Sequence, residues 1–296
     1  MVRGAGLFTA HVSSLTIQPA AAGHGIVLRR VDLPDSPPIL ALCSHVTTDP
    51  RLPGRNTTLI ADPSRPASPT NATIATVEHV LSALAGLGVT DAVIEVDGPE
   101  VPIGDGSALP FVEAIDRVGV VQISGAGPTA FVVDRVMEVL DSRTPPGEAG
   151  PKVVFEPAGS GPGCGLWMSY ELDYGPSSGI ARSTVGFVID AATYRRQIAP
   201  ARTFCLEHEA RALRAAGLFQ HLSPREMLVL DGAGRPIDNE LRFSDEPARH
   251  KLLDLIGDLS LAGRAVRGRV TGWRSGHALN QAAAARIRAE FFRTNS

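Results

Sequence analysis

The chain is poor in cysteine: its 296 residues hold only Cys43, Cys164 and Cys205. They are far apart, odd in number and form no Cys-x-x-Cys pair. That argues against a disulfide framework or a thiolate zinc knot and fits a reducing compartment. A dominant charge is also lacking. With 28 basic and 31 acidic residues the net charge is −3, and no run of like charges occurs. Nothing favours a nucleic-acid groove or an anionic membrane surface, so a small-molecule substrate is the expected partner. No apolar run reaches the roughly 20 residues needed to span a bilayer. The stretch from Gly4 to His11 is broken and only mildly apolar, without the continuous core of a secretory signal. The expected location is therefore the cytoplasm, and a monomer is compatible with everything in the sequence.

The length suggests two modest domains, each able to bury a core without disulfides. Short strands are predicted at Ser14–Ile17, Gly25–Val31, Ile39–Leu42 and Asn56–Ile60, followed by a Pro/Ser-rich loop from Asp62 to Pro69. Thr70-Asn71 is a candidate cap. From Thr73 or Thr76 to Leu87 apolar residues recur at helical spacing and stop at Gly86 and Gly88. A strand at Ala92–Val96 and a helix from Ala108 to Val118 come next, the helix capped by Asp105-Gly106-Ser107 with Pro110 in its first turn. Ser124 to Pro128 is the best linker, placing domains at about 1–126 and 127–296. The second half opens with strands at Ala130–Asp134, Val136–Leu140, Lys152–Phe155 and Leu166–Leu172, separated by turns such as Thr144 to Gly147. Its helices follow at Glu207–Leu218 and Asp245–Ala262. The fold class is α+β, with two similar layers expected from the shared order of strands then helices, although no residue-level repeat is visible.

On the second of those helices His250, Asp254 and Asp258 lie four apart, which stacks them on one face. Such pairs are ordinarily surface pairs that stabilise a helix by about 0.2–0.5 kcal/mol. Here Leu252, Leu253, Leu255, Ile256 and Leu259 leave little polar face, and a buried charge needs a partner or a metal. Glu78-His79 is framed the same way by Val77, Val80, Leu81 and Leu84. The two polar couples are expected to meet, offering imidazoles and carboxylates for a catalytic zinc and a Glu for proton transfer.

The blocks Thr76 to Leu84, Glu95 to Ser107, Ala201 to Phe204, Arg249 to Asp258 and Arg274 to Asn280 occur in order along nearly the whole chain. With them the chain resembles the zinc-dependent UDP-3-O-acyl-N-acetylglucosamine deacetylases of lipid A synthesis in Gram-negative bacteria. The resemblance implies two similar domains, each a small, mainly antiparallel sheet packed with two helices, with the active site between them. It implies His79, His250 and Asp254 as ligands of one Zn²⁺, an open set of three that leaves a place for water; Fe²⁺ also suits these ligand types. Glu78 matches the general base. Thr203 matches a donor to the developing oxyanion, and His277, in a Ser-Gly-His turn and paired with Asp258, a cationic acid. Lys251 lies about 100° round the helix from His250 and is assigned to substrate phosphate, and Phe204 to the sugar.

By its spacing alone Leu206–Leu218 reads as a core helix, whereas the resemblance makes it part of an apolar passage for the acyl chain. The Gly98-to-Ser107 block reads as turn chemistry. Phe8 stands where the family commonly has His, removing a polar contact. Ser223 to Met227 departs from a Gly-Ser motif, and Pro247 replaces a commonly aromatic position. A related N-deacetylase with another acylated amino-sugar substrate, or a paralogue that binds without catalysis, are the alternatives to removal of acetate from UDP-3-O-acyl-N-acetylglucosamine.

Overall fold

The computed structural model describes residues 1–295 apart from 49–53, 125–128, 146, 160–164, 177 and 224–225. Most of the expected linker, Cys164, one residue of the Thr144-to-Gly147 turn and the centre of the Ser223-to-Met227 departure thus lie outside the described residues. Cys43 and Cys205 are free thiols.

The first half runs β1 (Val2–Ala5), β2 (Val12–Pro19), β3 (Ile26–Arg30), β4 (Ile39–Leu40), β5 (Val46–Thr47), β6 (Thr58–Ile60), β7 (Thr73–Ile74), α1 (Glu78–Gly86), β8 (Ala92–Val96) and α2 (Leu109–Asp116). The second runs β9 (Phe131–Val132), β10 (Met137–Leu140), β11 (Lys152–Glu156), β12 (Leu166–Leu172), β13 (Ser183–Val188), α3 (Ala191–Thr193), β14 (Phe204–Leu206), α4 (Glu207–Ala215), β15 (Leu228–Leu230), α5 (Glu246–Ser260), β16 (Val266–Trp273) and α6 (His277–Asn295). A π-helical turn, Tyr194–Ile198, continues α3.

The two halves share one topology. The first sheet has the order β1-β2-β8-β3-β4 and the second β10-β11-β16-β12-β13, with β9 added beside β16. In each, two antiparallel hairpins flank a later strand that runs parallel to one of them, β8 to β3 and β16 to β12. That late strand lies between two helices in the chain, α1 and α2 in the first half, α5 and α6 in the second. The insertions differ: β5–β7 form a small sheet in the first half, and β14 and β15 pair around α4 in the second. The fold is therefore two sheet-plus-helix units related by a repeat of topology without a repeat of sequence. One apolar core runs through both, from Leu15 and Ile94 to Val153 and Val270.

Local sequence explains most of the elements. Along β8 residues alternate between buried and half-buried, as a strand with one face on a core requires. Asp105 Oδ1 accepts from the Ser107 amide (3.1 Å) and hydroxyl (2.6 Å), and Ser107 Oγ accepts from the Leu109 amide, organising the start of α2. On α6, Leu279, Ala283, Ile287 and Phe291 recur every fourth residue and are buried. That helix, together with β13 and β16, goes beyond the expected elements.

Two local expectations are corrected. Asn71 does not cap α1; its side-chain amide donates to the carbonyls of Asp62, Arg65 and Pro66 and its Oδ1 accepts from the Asp62 amide, tying off the Pro/Ser-rich loop. The helix begins at Glu78 rather than at Thr73 or Thr76, because Thr73–Ile74 pairs with β6 and Thr76 is left-handed, at φ 59°. A β-branched residue there is strained unless its surroundings hold it. The hold is visible: Thr76 Oγ1 donates to the buried Glu100 carboxylate at 2.7 Å and accepts from Asn56 Nδ2 at 3.3 Å.

Candidate metal centre and active site

The topologically equivalent helices α1 and α5 pack on each other, and the close approach has a sequence cause. Gly257 of α5 faces the backbone of Glu78, where any Cβ would collide with the Glu78 carbonyl oxygen. Ser82 of α1 donates to the Leu253 carbonyl of α5 (2.8 Å) and accepts from the Tyr194 hydroxyl (2.8 Å), so the π-helical turn clamps the pair. Leu252, Leu253, Leu255, Ile256 and Leu259 are all buried on α5, each such side chain stabilising the fold by roughly 1.5–3 kcal/mol.

Into this seam the helices project His79, His250 and Asp254, all buried, with one donor atom from each lying within 4.8 Å of the others. Asp254 Oδ1 is 3.4 Å from His250 Nε2 and 3.8 Å from His79 Nε2, and the two rings meet edge to face with centroids 5.1 Å apart. Bonds of about 2.0–2.1 Å in a tetrahedral site put ligand atoms about 3.3–3.5 Å from one another, so the cluster is the size a small divalent ion needs. The donor chemistry agrees. Burial and the neighbouring His250 push the His79 imidazole down to about 3, and burial lowers His250 despite Asp254 beside it, so burial works against the charged form of both rings. Burial works against ionisation of Asp254, yet His250, Lys251 and His277 hold its carboxyl well below the usual range. Asp254 Oδ1 is buried without a hydrogen-bond donor. His79 Nδ1 is likewise buried without a hydrogen-bond partner. His250 Nδ1 donates to the Ala201 carbonyl (3.1 Å), which fixes the ring with Nε2 toward the site.

Glu78 is buried beside this cluster. Burial, opposed by the His277 charge and reinforced by Asp258 and Asp254, raises its carboxyl to about 8. His277 is the first residue of α6, directly after the non-helical Ser275-Gly276. Its Nδ1 donates to Asp258 Oδ2 at 2.9 Å. Burial alone would lower this imidazole, but the Asp258 charge and hydrogen bond outweigh it and raise it to about 9. Asn280 Nδ2 donates to the same Asp258 oxygen (3.0 Å) and the Thr57 hydroxyl to the other (2.5 Å). Thr57 also donates its amide to Glu78 Oε2 at 3.0 Å.

The other expected residues are Thr203, Phe204 and Lys251. Thr203 is half-buried; its amide donates to the Gly106 carbonyl (2.7 Å), anchoring it against the Gly98-to-Ser107 block. The buried Arg202 guanidinium holds Glu246 at the start of α5 (2.8 Å), fixing this segment to that helix. Phe204 is half-buried, its ring 6.4 Å from His250 on one side and 5.7 Å from Tyr174 on the other. Lys251 does not stand apart from the cluster: its Nζ donates to Asp254 Oδ2 at 2.8 Å. Burial would lower the ammonium, but Asp254 holds it above the ordinary lysine range.

Glu207–Ala215 is not the core helix its spacing suggests. None of its residues is fully buried, and Ala210 and Leu213 only flank a small separate cluster of Leu7, Phe8, Ala75, Ile103, Cys205, Phe219, Leu222 and Met227. Phe8 is buried there against Phe219, with centroids 5.5 Å apart. Pro247 sits in the first turn of α5, a position that tolerates its missing N–H.

Reading the sequence misses Thr57, Tyr174, Gly257, Gln281 and the role of Asn280. Asn280 and Gly257 stand inside recognisable blocks, which were the available signal; Thr57, Tyr174 and Gln281 are brought in by chain folding.

Comparison with known proteins agrees with the geometry. The sequence model of a family described as UDP-3-O-acyl N-acetylglycosamine deacetylase matches residues 1–289. A protein from Anaeromyxobacter sp. (strain Fw109-5), named UDP-3-O-acyl-N-acetylglucosamine deacetylase, is 37% identical over 289 residues, covering 97% of this chain and 85% of its own. Proteins of the same name from Phenylobacterium zucineum (35%, 94% of this chain and 87% of theirs) and Chlamydia pneumoniae (36%, 94% and 90%) are similar over comparable lengths.

Proposed function

The chain belongs to the UDP-3-O-acyl-N-acetylglycosamine deacetylase family, and on that premise we propose that it hydrolyses the N-acetyl group of UDP-3-O-acyl-N-acetylglucosamine in an early step of lipid A synthesis. The observation that carries this reading is the convergence of His79, His250 and Asp254 from two equivalent helices beside a buried Glu78. The repeat of topology likewise supports a division of the chain near residue 126.

His79, His250 and Asp254 would hold Zn²⁺, the metal that best matches two neutral imidazoles and a carboxylate in an open set of three. When bound, zinc supplies a Lewis acid and makes a nearby water more acidic. Glu78, whose ionised form the charge of a bound divalent ion would favour, takes a proton from the attacking water at its carboxylate, which the Thr57 amide orients through Oε2. The water oxygen adds to the acetamide carbonyl carbon, and Thr203 donates toward the oxyanion that develops. His277, held protonated by Asp258, gives its proton to the departing nitrogen as the C–N bond breaks, leaving acetate and a free amine. Lys251 has three N–H donors and uses one on Asp254, so two remain for an anionic group such as a substrate phosphate. Phe204 offers an apolar face to the sugar.

The decisive experiment is metal analysis of the purified protein followed by an acetate-release assay on the UDP-acyl sugar. One zinc per chain with activity lost to a chelator and restored by zinc is expected. A metal-loaded protein that releases no acetate from this or any acylated amino sugar would instead favour a binding paralogue.

A further inference from the structure

Thr57 lies just before β6, 21 positions from Glu78 and 201 from Asp258, and it touches both arms of the machinery. It is fully buried. Its amide donates to Glu78 Oε2 (3.0 Å) and its hydroxyl to Asp258 Oδ1 (2.5 Å). The same hydroxyl oxygen accepts from Gln281 Nε2 of α6 at 2.9 Å. A threonine hydroxyl has one proton, so occupation of its oxygen by the Gln281 donor leaves that proton directed at Asp258. The second Asp258 oxygen is taken by His277 Nδ1 and Asn280 Nδ2. One residue of the N-terminal half therefore spans from the Glu78 carboxylate to the carboxylate that carries the His277 ring, which belongs to the C-terminal half.

We propose that Thr57 is a positioning residue, setting the distance and orientation between the Glu78 carboxylate and the His277 imidazole across the seam of the two units. This rests on the reading of those two groups as base and acid. The physical reason is geometric. The Asp258 carboxylate is fixed at both oxygens, and through it the imidazole orientation and tautomer are fixed. Without the hydroxyl, Oδ1 is a buried acceptor lacking that donor, and the carboxylate is free to turn toward another one, taking His277 with it. Small displacements of this kind cost rate rather than affinity, because they act on alignment in the transition state.

The test compares Thr57→Val, which keeps shape and amide but loses the hydroxyl, with Thr57→Ser, which keeps the hydroxyl. In the zinc-loaded protein Thr57→Val should lower kcat about 10–100-fold with KM little changed and metal content intact. Thr57→Ser should recover most of the rate. The low-field proton resonance of His277 Nδ1–H should move in Thr57→Val and stay in Thr57→Ser. Gln281→Leu, at a half-buried position, removes only the donor that directs the hydroxyl; it should lower kcat about threefold or more and shift the same resonance. It decides the matter if Thr57→Val does not fold. Wild-type kcat in Thr57→Val, a loss confined to KM, a serine variant as impaired as the valine, or an unmoved resonance in Thr57→Val and Gln281→Leu would each overturn the proposal. If the wild-type protein releases no acetate, the catalytic reading fails on its own account, while the resonance comparison still decides whether Thr57 orients His277.

Discussion

Helices α4 and α5 both present amphipathic sequences, yet almost every residue of α5 from Glu246 to Leu259 is buried and none of α4 is. The difference lies in what faces them. α5 packs against α1, α6 and strand β12, so even its polar residues have protein on all sides; α4 packs against the short pair β14 and β15 and the edge of the small cluster around Phe8. On α5, His250, Asp254 and Asp258 become chemically useful because burial strips them of water and leaves protein groups such as Lys251, His277, Thr57 and Asn280 as their partners. On α4, Arg211 and Glu207 form an exposed i,i+4 pair (2.6 Å), the kind that contributes little. An apolar period alone does not tell which of the two outcomes a helix will meet.

The largest effect that sharpens this contrast is at the seam itself. Glu78→Ala should lower kcat by about 10²–10⁴-fold, the range of a lost general base, while zinc stoichiometry stays near one; steady-state kinetics with metal analysis checks it, and retained turnover would remove Glu78 from the mechanism. Next in size is a matched truncation. Leu253→Ala on α5 should destabilise by about 2–5 kcal/mol, whereas Leu213→Ala on α4 should cost under about 1 kcal/mol, because the first opens a cavity in the core and the second trims a half-buried edge. Denaturant midpoints of the two variants measure this, and equal losses would break the comparison. The smallest effect is a shift in pH dependence. His277 must carry its proton, so kcat should fall as pH rises through about 9. Asp258 raises that value, so Asp258→Asn should move the alkaline limb to lower pH; a limb that stays in place would assign it to another group.

How much was legible follows the same division. The stripe on α5 and the Glu78-His79 couple could be read because helical spacing and apolar neighbours are local properties. Ala92–Val96 and Leu166–Leu172 were readable as strands for the same reason, and match residue for residue. Thr76 shows the limit: its helical pattern was plain, but pairing of Thr73–Ile74 with β6 and the grip of Glu100 moved the start of the helix. Phe8 shows another. In sequence it stood only as a missing polar contact, whereas in the fold it builds the small cluster with Phe219.

The sequence by itself determined the chemistry available: which side chains carry lone pairs and protons, at what helical phase, and with how little polar surface around them. It also determined the type of the elements whose periodicity is plain, such as β8 and β12. The tertiary structure alone decided that α1 and α5 are equivalent helices of a repeated topology brought into contact at Gly257, that Lys251 shares Asp254, and that Thr57 reaches Glu78 and Asp258 together. The physical reason is that hydrogen bonds and pKa values depend on distance and desolvation between groups up to 224 positions apart in the chain, and no local pattern encodes either.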